Sequence, residues 1–272
     1  MSNPGVAGST RARRIRIGVL VCVLFGVLCY AWLDVRSRAR RNEWEATLDV
    51  AIVLLRRGSV DDDAVAALRA RLPALEERLT AQMQRHRPSG PRPFSFSVRG
   101  PIDVVSGAPM PDGFELWDLV KHAHRLWRFT RAIDSAAKVE RGYASRIYLT
   151  IKPPNGTDSL SVEGTSELNG RIGMVEVELD ASMVDFALFV VTHELLHTLG
   201  ASDKYDGAGR AKVPEGLADP RRVPLYPQDG AEVMARNRPL GGGREKPPTK
   251  LAELTVGEAT AREIGWLPPS AP

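Results

Sequence analysis

The segment from Thr192 to Tyr205 holds the residues of this 272-residue chain whose types and spacing best suit chemistry. His193 and His197 stand four positions apart, and on a helix such residues lie on one face, one turn apart. Their imidazoles can therefore hold one metal ion between them. Glu194 is offset by one position, so it is poorly placed as a ligand but can reach a water molecule beside the metal. This is the arrangement of a zinc hydrolase with a Glu general base.

The residues after His197 predict where a third ligand comes from. A helix that carries two ligands must stop soon, and Gly200 suits the turn because glycine adopts the left-handed conformation without steric cost. Asp203 then falls where the returning chain faces the metal. Two neutral imidazoles, one carboxylate and one water would make a tetrahedral zinc site with an open position. Asp206 is the next candidate ligand, and a buried helix with two stacked His is the structural alternative.

The pattern H-E-x-x-H-x-x-G-x-x-D resembles the metzincin metallopeptidases, particularly their immune-inhibitor-A-like and snapalysin-like branches. In those branches a Tyr follows two residues after the Asp, as Tyr205 follows Asp203 here. The third ligand is Asp and not the His that is more familiar in metzincins. The resemblance implies an α+β zincin fold: a mixed sheet with an antiparallel edge strand, an active-site helix, a Met-containing turn and a C-terminal helix. It also implies one catalytic Zn²⁺, bound by His193, His197 and Asp203.

Met234 is the candidate for the Met-containing turn that metzincins place beneath the metal. It lies in a loop-rich segment after the right motif, although a lone methionine usually only fills a core. Some metzincins have a Tyr two residues beyond the Met, and this chain has Arg236 there. Tyr205 and Tyr226 remain as weaker candidates for a tyrosine that assists the transition state.

The N-terminal region predicts a membrane anchor. A basic tail, residues 1–16, precedes an apolar run over residues 17–33, which at 1.5 Å per residue spans about 25 Å, the short end of a bilayer crossing. No A-x-A-type cleavage site ends this run, which favours an uncleaved signal anchor over a cleavable signal peptide. Basic residues flank both ends. Because a large folded domain follows, we expect a single-pass protein with a cytoplasmic N-terminus and an extracytoplasmic catalytic domain.

Charge and cysteine usage exclude several classes of protein. The net charge is +4, with the basic excess near the N-terminus, and no nucleic-acid module or aromatic-interleaved basic patch is present. We therefore expect a protein or peptide substrate and a membrane as partners, and no nucleic acid. Both cysteines, Cys22 and Cys29, lie within the apolar run. The rest of the chain thus has neither a disulfide nor a Cys-ligated metal.

Residues 34–92 are predicted to form a helical stalk and linker that joins the anchor to a metallopeptidase domain over residues 93–272. Apolar residues recur at helical spacing over residues 42–87, beginning with Trp44, Leu48, Ile52 and Leu55. A propeptide-like or partner-binding helical hairpin is the alternative. The proline-rich residues 88–93 mark the predicted domain boundary.

Within the predicted catalytic domain, an amphipathic helix is expected from about Phe114 to Lys138. Its inward face is predicted to consist of Leu116, Leu119, Val120, Ala123, Leu126, Trp127 and Ile133. His122 and His124 point about 200° apart on this helix and cannot chelate together, so we interpret them as surface or satisfied core residues.

Short strands are predicted at residues 94–98, 102–105 and 146–151. Ile172–Leu179 is predicted to be a further strand, either the edge strand that pairs with peptide substrates or an ordinary half-buried strand. The helix from Met183 to Leu199 is apolar nearly all round and is expected to be buried. A final helix is predicted to start near Thr255.

Together these features predict a membrane-anchored zinc-dependent endopeptidase with Glu194 as general base. A metal-dependent amidohydrolase acting on a non-peptide substrate would share every one of these residues. The other alternative is a non-catalytic, membrane-tethered metal-binding interaction domain. Glu194 and the open fourth position argue against the latter, because structural zinc sites are closed by a fourth protein ligand.

Overall fold

The computed structural model describes residues 6–109, 113, 115–140, 142–154, 162–166 and 169–268. The chain divides into two compact units, Met1–Glu43 and Trp44–Pro272. The first unit is built on helix α1 (Val6–Arg41). Within it, Arg13–Arg41 has a mean hydropathy of 2.2, and among the described residues it is the one helix long and apolar enough to cross a membrane. This composition is that of a membrane span or of a signal sequence.

The second unit is organised around a five-stranded sheet. Its strands are β1 (Leu48–Arg56), β2 (Phe94–Asp103), β3 (Ser145–Lys152), β4 (Val162–Ser166) and β5 (Ile172–Glu178). The spatial order is β2-β1-β3-β5-β4. The first four strands in this order run parallel, and β4 pairs antiparallel to β5 at the edge. The second unit is thus a mixed α/β fold with a largely parallel sheet.

Four helices and two short ribbons complete the part of the second unit that the structure describes. The helices are α2 (Asp62–His86), α3 (Leu116–Ala136), α4 (Val184–Thr198) and α5 (Glu258–Glu263). The ribbons pair β6 (Ala231–Glu232) with β9 (Leu254–Thr255), and β7 (Arg238–Gly241) with β8 (Arg244–Lys246). Single 3-10 turns cover Val233–Ala235 and Leu251–Glu253.

Strand β1 shows that the sheet is covered on both faces. Successive side chains of a strand point to opposite faces, so Ile52 and Val53 face different layers. Ile52 belongs to the large core cluster with residues of α2 and α4, whereas Val53 packs in a smaller cluster with Ile133 of α3. Helices α2 and α4 therefore lie on one face of the sheet and α3 on the other.

The predicted helical stalk over residues 34–92 is wrong in the part that follows Glu43. Residues 48–56 form β1, a parallel partner of both β2 and β3, and α2 belongs to the large core. A strand buried on both faces is apolar at nearly every position, and such a run also satisfies a helical spacing. Trp44 is 1% exposed and its Nε1 donates a hydrogen bond to the carbonyl oxygen of Ile264, 2.6 Å away. The folded unit thus begins near Trp44 and not at residue 93.

The predicted inward face of α3 is also wrong. Leu116 and Trp127 are 77% and 57% exposed, and of the predicted set only Ile133 is buried. The helix contacts the sheet through Phe129 and Ile133 near its C-terminal end. The amphipathic pattern predicted the helix correctly, but the sheet packs against a different face of the helix from the predicted one.

The strand Ile172–Leu179 is not the edge of the sheet. Strand β5 occupies this segment and lies between β3 and β4. Of the two alternatives, the ordinary half-buried strand is therefore confirmed. Strand β4 is the antiparallel edge, and among the described residues no strand pairs with its outer side. Strand β4 is antiparallel to β5 because the two strands follow each other directly in the chain. Antiparallel neighbours need only a short link.

Candidate metal centre

Helix α4 carries the first two candidate ligands in the core of the second unit. Apolar residues occupy nearly every side of this helix, so other parts of the chain pack against it on nearly all sides. Its N-cap residue, Met183, makes no capping hydrogen bond through its side chain. His193 is 6% exposed and Glu194 is 4% exposed. A buried imidazole needs polar partners, because leaving its nitrogens unpaired costs free energy. The partners that each imidazole finds determine which of its nitrogens is free.

Both imidazoles use Nδ1 to bind a backbone carbonyl. Nδ1 of His193 lies 2.8 Å from the carbonyl oxygen of Val233, and Nδ1 of His197 lies 2.7 Å from that of Ala201. A carbonyl can only accept, so each Nδ1 is the donor and carries the hydrogen. In the neutral rings the two Nε2 atoms then carry free lone pairs. They face each other 3.1 Å apart.

The third candidate ligand arrives through the turn at Gly200. This residue has φ of +100°, and the amides of Gly200 and Ala201 donate to the carbonyls of His197 and Leu196, closing the end of α4 in a Schellman motif. A side chain at this position would also collide with Asn169. Because the chain reverses here, the Oδ1 atom of Asp203 lies 3.3 Å from Nε2 of His193 and from Nε2 of His197.

His193, His197 and Asp203 form a group whose ligand atoms all lie within 4.8 Å of one another. The Oδ1 atom of Asp203 is buried and accepts no hydrogen bond from the described residues. With both Nδ1 atoms protonated, three acceptor atoms converge with no hydrogen between them. A cation satisfies such a set, and two imidazoles with one carboxylate suit Zn²⁺. The residues present therefore fit a zinc ion.

The pKa values of His197 and Asp203 also indicate that the site favours a positive charge. Burial opposes the charged form of His197, but the adjacent Asp203 carboxylate and the Ala201 carbonyl raise its pKa above the ordinary value. Burial likewise opposes ionisation of Asp203, yet the two neighbouring imidazoles hold its pKa well below the usual range. Asp203 is therefore a carboxylate, the form in which it can bind a metal.

Two further bonds fix the loop that carries Asp203. Lys204 is 3% exposed, and its Nζ donates to Oε1 of Glu263 at 2.6 Å. The backbone amide of Ser202 donates to the other carboxylate oxygen of Glu263 at 2.9 Å. Residues on both sides of Asp203 are thus tied to the end of α5. This ties the position of the third ligand to the C-terminal helix.

The 3-10 turn Val233–Ala235 holds both His193 and the loop that carries Asp203. Its Val233 carbonyl orients His193, and its Met234 carbonyl accepts a hydrogen bond from the amide of Lys204 at 2.9 Å. Met234 itself is fully buried in the large core. Beneath the turn, the buried carboxylate of Glu232 accepts from the Met234 amide and, at 2.7 Å, from the Thr260 hydroxyl of α5.

The side chain of Glu194 projects from α4 towards the edge strand β4. The hydroxyl of Ser166 donates to its Oε2 atom. A Cβ atom at Gly164 would lie 2.0 Å from Oε1 of Glu194, so the backbone of β4 passes directly over the carboxylate, and a larger residue there would displace it. Glu194 is also close enough for its charge to raise the pKa of His197. The edge strand and the ligand-bearing helix thus meet at Glu194.

Of the remaining candidates, Tyr205 is at the site. Its ring stacks on His193 with centroids 6.5 Å apart, and the guanidinium carbon of Arg236 lies 5.3 Å from its centroid. Burial and the nearby Asp203 carboxylate raise the pKa of Tyr205. Tyr226 instead packs against Gly241 of β7.

Asp206, the alternative ligand, accepts backbone hydrogen bonds from Ala208 and Arg210 at 2.9 and 3.0 Å. Its carboxylate thus stabilises a local turn. His122 and His124 lie on α3, outside the candidate ligand set, and His124 stacks on Trp127 with centroids 5.9 Å apart.

Sequence reasoning missed several residues that support the site: Gly164, Ser166, Lys204, Glu232 and Glu263. Gly164 and Ser166 lie on β4, Glu232 precedes the 3-10 turn and Glu263 ends α5, so no local spacing connects these four to the H-E-x-x-H motif.

Comparisons with known proteins add little to this geometry. No family model matches the chain, and no curated protein matches it. Among solved structures, archaemetzincin from Methanopyrus kandleri matches with 14% identity over 72% of this chain and 89% of that chain, at a TM-score of 0.32. A likeness at this TM-score is too weak to carry any conclusion about this chain.

Proposed function

We propose that this protein is a membrane-anchored, zinc-dependent endopeptidase. The observation that carries the proposal is the convergence of three acceptor atoms, from His193, His197 and Asp203, beside the buried carboxylate of Glu194. A structural metal needs a fourth protein ligand, and the described residues offer no fourth His, Cys, Asp or Glu in this group. Three ligands with a neighbouring carboxylate are the donor set of a hydrolase.

Zinc at such a site acts as a Lewis acid towards a scissile carbonyl and lowers the pKa of water towards ~7. The chain's own residues supply the rest of the mechanism. The Val233 and Ala201 carbonyls hold the two imidazoles as neutral Nε2 ligands. Glu194 accepts the proton of the attacking water at its carboxylate and delivers it to the leaving amine. The Ser166 hydroxyl positions that carboxylate through its hydrogen bond to Oε2.

The edge strand β4 supports a peptide as the substrate. Its outer side has no strand partner among the described residues, and an extended peptide can add to such an edge through main-chain hydrogen bonds. Because Gly164 of this strand lies over Glu194, a peptide paired with the edge would run next to the general base. This favours an endopeptidase over a hydrolase of small non-peptide amides.

The membrane part of the proposal rests on α1. Its segment Arg13–Arg41 has the length and hydropathy of a membrane span, and its apolar side chains are exposed in the first unit. We infer that residues 17–33 are an uncleaved signal anchor that leaves the second unit on the extracytoplasmic side. Protease added to intact cells should then digest the chain after Leu33. Protection in cells together with digestion in inverted vesicles would reverse this orientation.

The activity is tested with the full-length chain purified in detergent. We expect about one zinc per chain and cleavage of a peptide library, both lost in His193→Ala, while Glu194→Gln should keep the zinc and lose the cleavage. A zinc-loaded wild type that cleaves no peptide but hydrolyses small amides would replace the endopeptidase with an amidohydrolase. A wild type that binds no zinc would contradict the metal site itself.

A further inference from the structure

Helix α3 turns an apolar stripe towards solvent. At 100° per residue, five residues fall within about 100° of arc on the helix surface. They are Leu116, Leu119, Val120, Ala123 and Trp127. We call this set the apolar stripe. Its four large side chains are 45% to 77% exposed, and the neighbouring Trp117 is 69% exposed. A contiguous exposed apolar face of this kind marks an interaction surface.

Basic residues border the stripe along one side. Lys121, His124, Arg128 and Arg131 project from the adjacent sector of the helix, and three of them contain a permanent positive charge. The guanidinium carbon of Arg131 lies 5.7 Å from the ring centroid of Trp127. The two acidic residues of the helix, Asp118 and Asp134, are partly buried and pair with Lys121 and Arg146 respectively. The exposed surface of α3 is therefore apolar on one side and cationic on the other.

We propose that α3 docks in the interface of an anionic lipid bilayer, with the apolar stripe among the acyl chains and the basic border at the headgroups. A helix that lies in a membrane interface has this distribution of residues. Tryptophan is favoured at the boundary because its ring has an apolar body and a polar N–H. Lysine and arginine near an anionic surface each add about 1 kcal/mol of attraction.

The tether of the second unit makes this contact accessible, and in this respect the inference rests on the proposed membrane anchor. Helix α1 ends at Arg41 and the second unit begins at Trp44. A fully extended chain between these residues spans at most about 11 Å. If residues 17–33 cross the bilayer, the second unit is held near its surface at a high effective concentration, so that a weak interfacial helix is sufficient for docking.

A second copy of the chain suits this surface less well. An antiparallel two-fold contact between two copies of α3 would place both basic borders on the same side of the helix pair, and like charges repel. An anionic bilayer satisfies the apolar stripe and the basic border at the same time. Charge complementarity thus favours lipid as the occupant.

Docking through α3 has a consequence for the substrate. Helices α3 and α4 pack on opposite faces of the sheet, through Val53 and Ile52 respectively. With α3 in the interface, the zinc ligands on α4 lie on the side of the sheet away from the lipid. The peptide cut by this site would then be a segment outside the bilayer and not a transmembrane segment.

The test uses single cysteines in the full-length chain. Cys22 and Cys29 are free, so Cys22→Ser and Cys29→Ser give a cysteine-free background. Val120→Cys reports on the apolar stripe, and Val223→Cys, at a residue outside α3 that is 93% exposed, is the matched control. Phe25→Cys reports separately on the anchor. Each is labelled with an environment-sensitive fluorophore and reconstituted in vesicles of phosphatidylcholine and phosphatidylglycerol, 3:1, that contain spin-labelled acyl chains.

We expect the acyl spin labels to quench the fluorophore at position 120 and to leave the one at position 223 unquenched. In Lys121→Gln and Arg128→Gln variants, the ratio of docked to undocked molecules should fall about fivefold for each charge removed. Vesicles of phosphatidylcholine alone should show a similar loss of quenching at position 120.

The remaining outcomes separate docking from anchoring. Quenching at position 25 without quenching at position 120 overturns the docking and leaves the anchor in place. Quenching at position 120 without quenching at position 25 supports the docking and removes the anchor. Shielding of position 120 in detergent that grows with protein concentration and ignores the spin-labelled lipid would mean that a second copy covers the stripe, which also overturns the proposal.

Discussion

Helices α3 and α4 lie on opposite faces of one sheet, and they use their apolar residues in opposite ways. Helix α4 is covered on nearly all sides and leaves only its ligand-bearing end near solvent, whereas α3 has two buried residues, Thr130 and Ile133. The pattern of α3 is the more regular amphipathic one, yet its apolar stripe faces outward. Periodicity shows that a helix has a distinct face, but the neighbouring element decides whether that face is covered.

The largest expected effect concerns the end of α4. Glu194→Gln keeps the size of the side chain and removes the base, so kcat on a cleaved peptide should fall by about 10²–10⁴. Zinc content, measured by mass spectrometry, should stay at the wild-type value because Glu194 is not a ligand. Glu258→Gln on the exposed start of α5 is the control and should leave kcat unchanged. Unchanged activity in Glu194→Gln would exclude Glu194 as the base.

The contrast between the two helices predicts a difference in stability. Leu188 on α4 is 0% exposed, so Leu188→Ala should lower the free energy of unfolding by about 2–5 kcal/mol. Leu119→Ala on α3 makes the same chemical change at a residue that is 45% exposed and should cost less than about 0.5 kcal/mol. Urea unfolding of the full-length chain in detergent, followed by near-UV circular dichroism, measures both. Equal losses would mean that α3 is covered after all.

The third prediction compares two aspartates of one loop. Asp203→Ala removes a ligand and should lower zinc affinity by more than about tenfold and abolish cleavage, with Asp203→Asn intermediate because an amide oxygen binds zinc less well. Asp206→Ala should retain most of the affinity, since its carboxylate binds the amides of Ala208 and Arg210. Competition with a fluorescent zinc chelator gives these affinities. A loss of zinc in Asp206→Ala alone would exchange the roles of the two residues.

The smallest effect is expected where β4 meets α4. Ser166→Ala removes the hydrogen bond to Glu194 and should lower kcat by about tenfold, the lower range for groups that orient a metal site. Ser166→Thr keeps the hydroxyl and should recover most of that loss. The measurement is kcat and KM on the same peptide, with zinc content as a check. A change confined to KM would indicate that Ser166 binds the substrate and does not position Glu194.

The sequence predicted the convergence of His193, His197 and Asp203 because all three residues lie within one short segment. Helical geometry alone brings His193 and His197 together, and a single glycine turn returns Asp203 to them. The residues that hold this set in place come from β4, the 3-10 turn and α5, which lie far apart in the chain. Their contribution depends on backbone carbonyls and buried carboxylates, whose partners only the folded chain determines.

The two errors in the fold have a common physical cause. Residues 48–55 satisfy both a helical spacing and a doubly buried strand, because a continuous apolar run fits either period. Helix α3 has a clear apolar face, and a local pattern assigns such a face to the core by default. In both places the outcome depends on which other elements are available to pack against the segment.

By itself, the sequence determined the convergence of His193, His197 and Asp203, the apolar N-terminal helix and the existence of α3 and α4, because these depend on residues close in the chain. Only the tertiary structure decided that the folded unit begins near Trp44, that β4 and not β5 is the edge of the sheet, and that the apolar stripe of α3 is exposed. These features depend on long-range packing, in which burial is shared among segments that no local spacing connects.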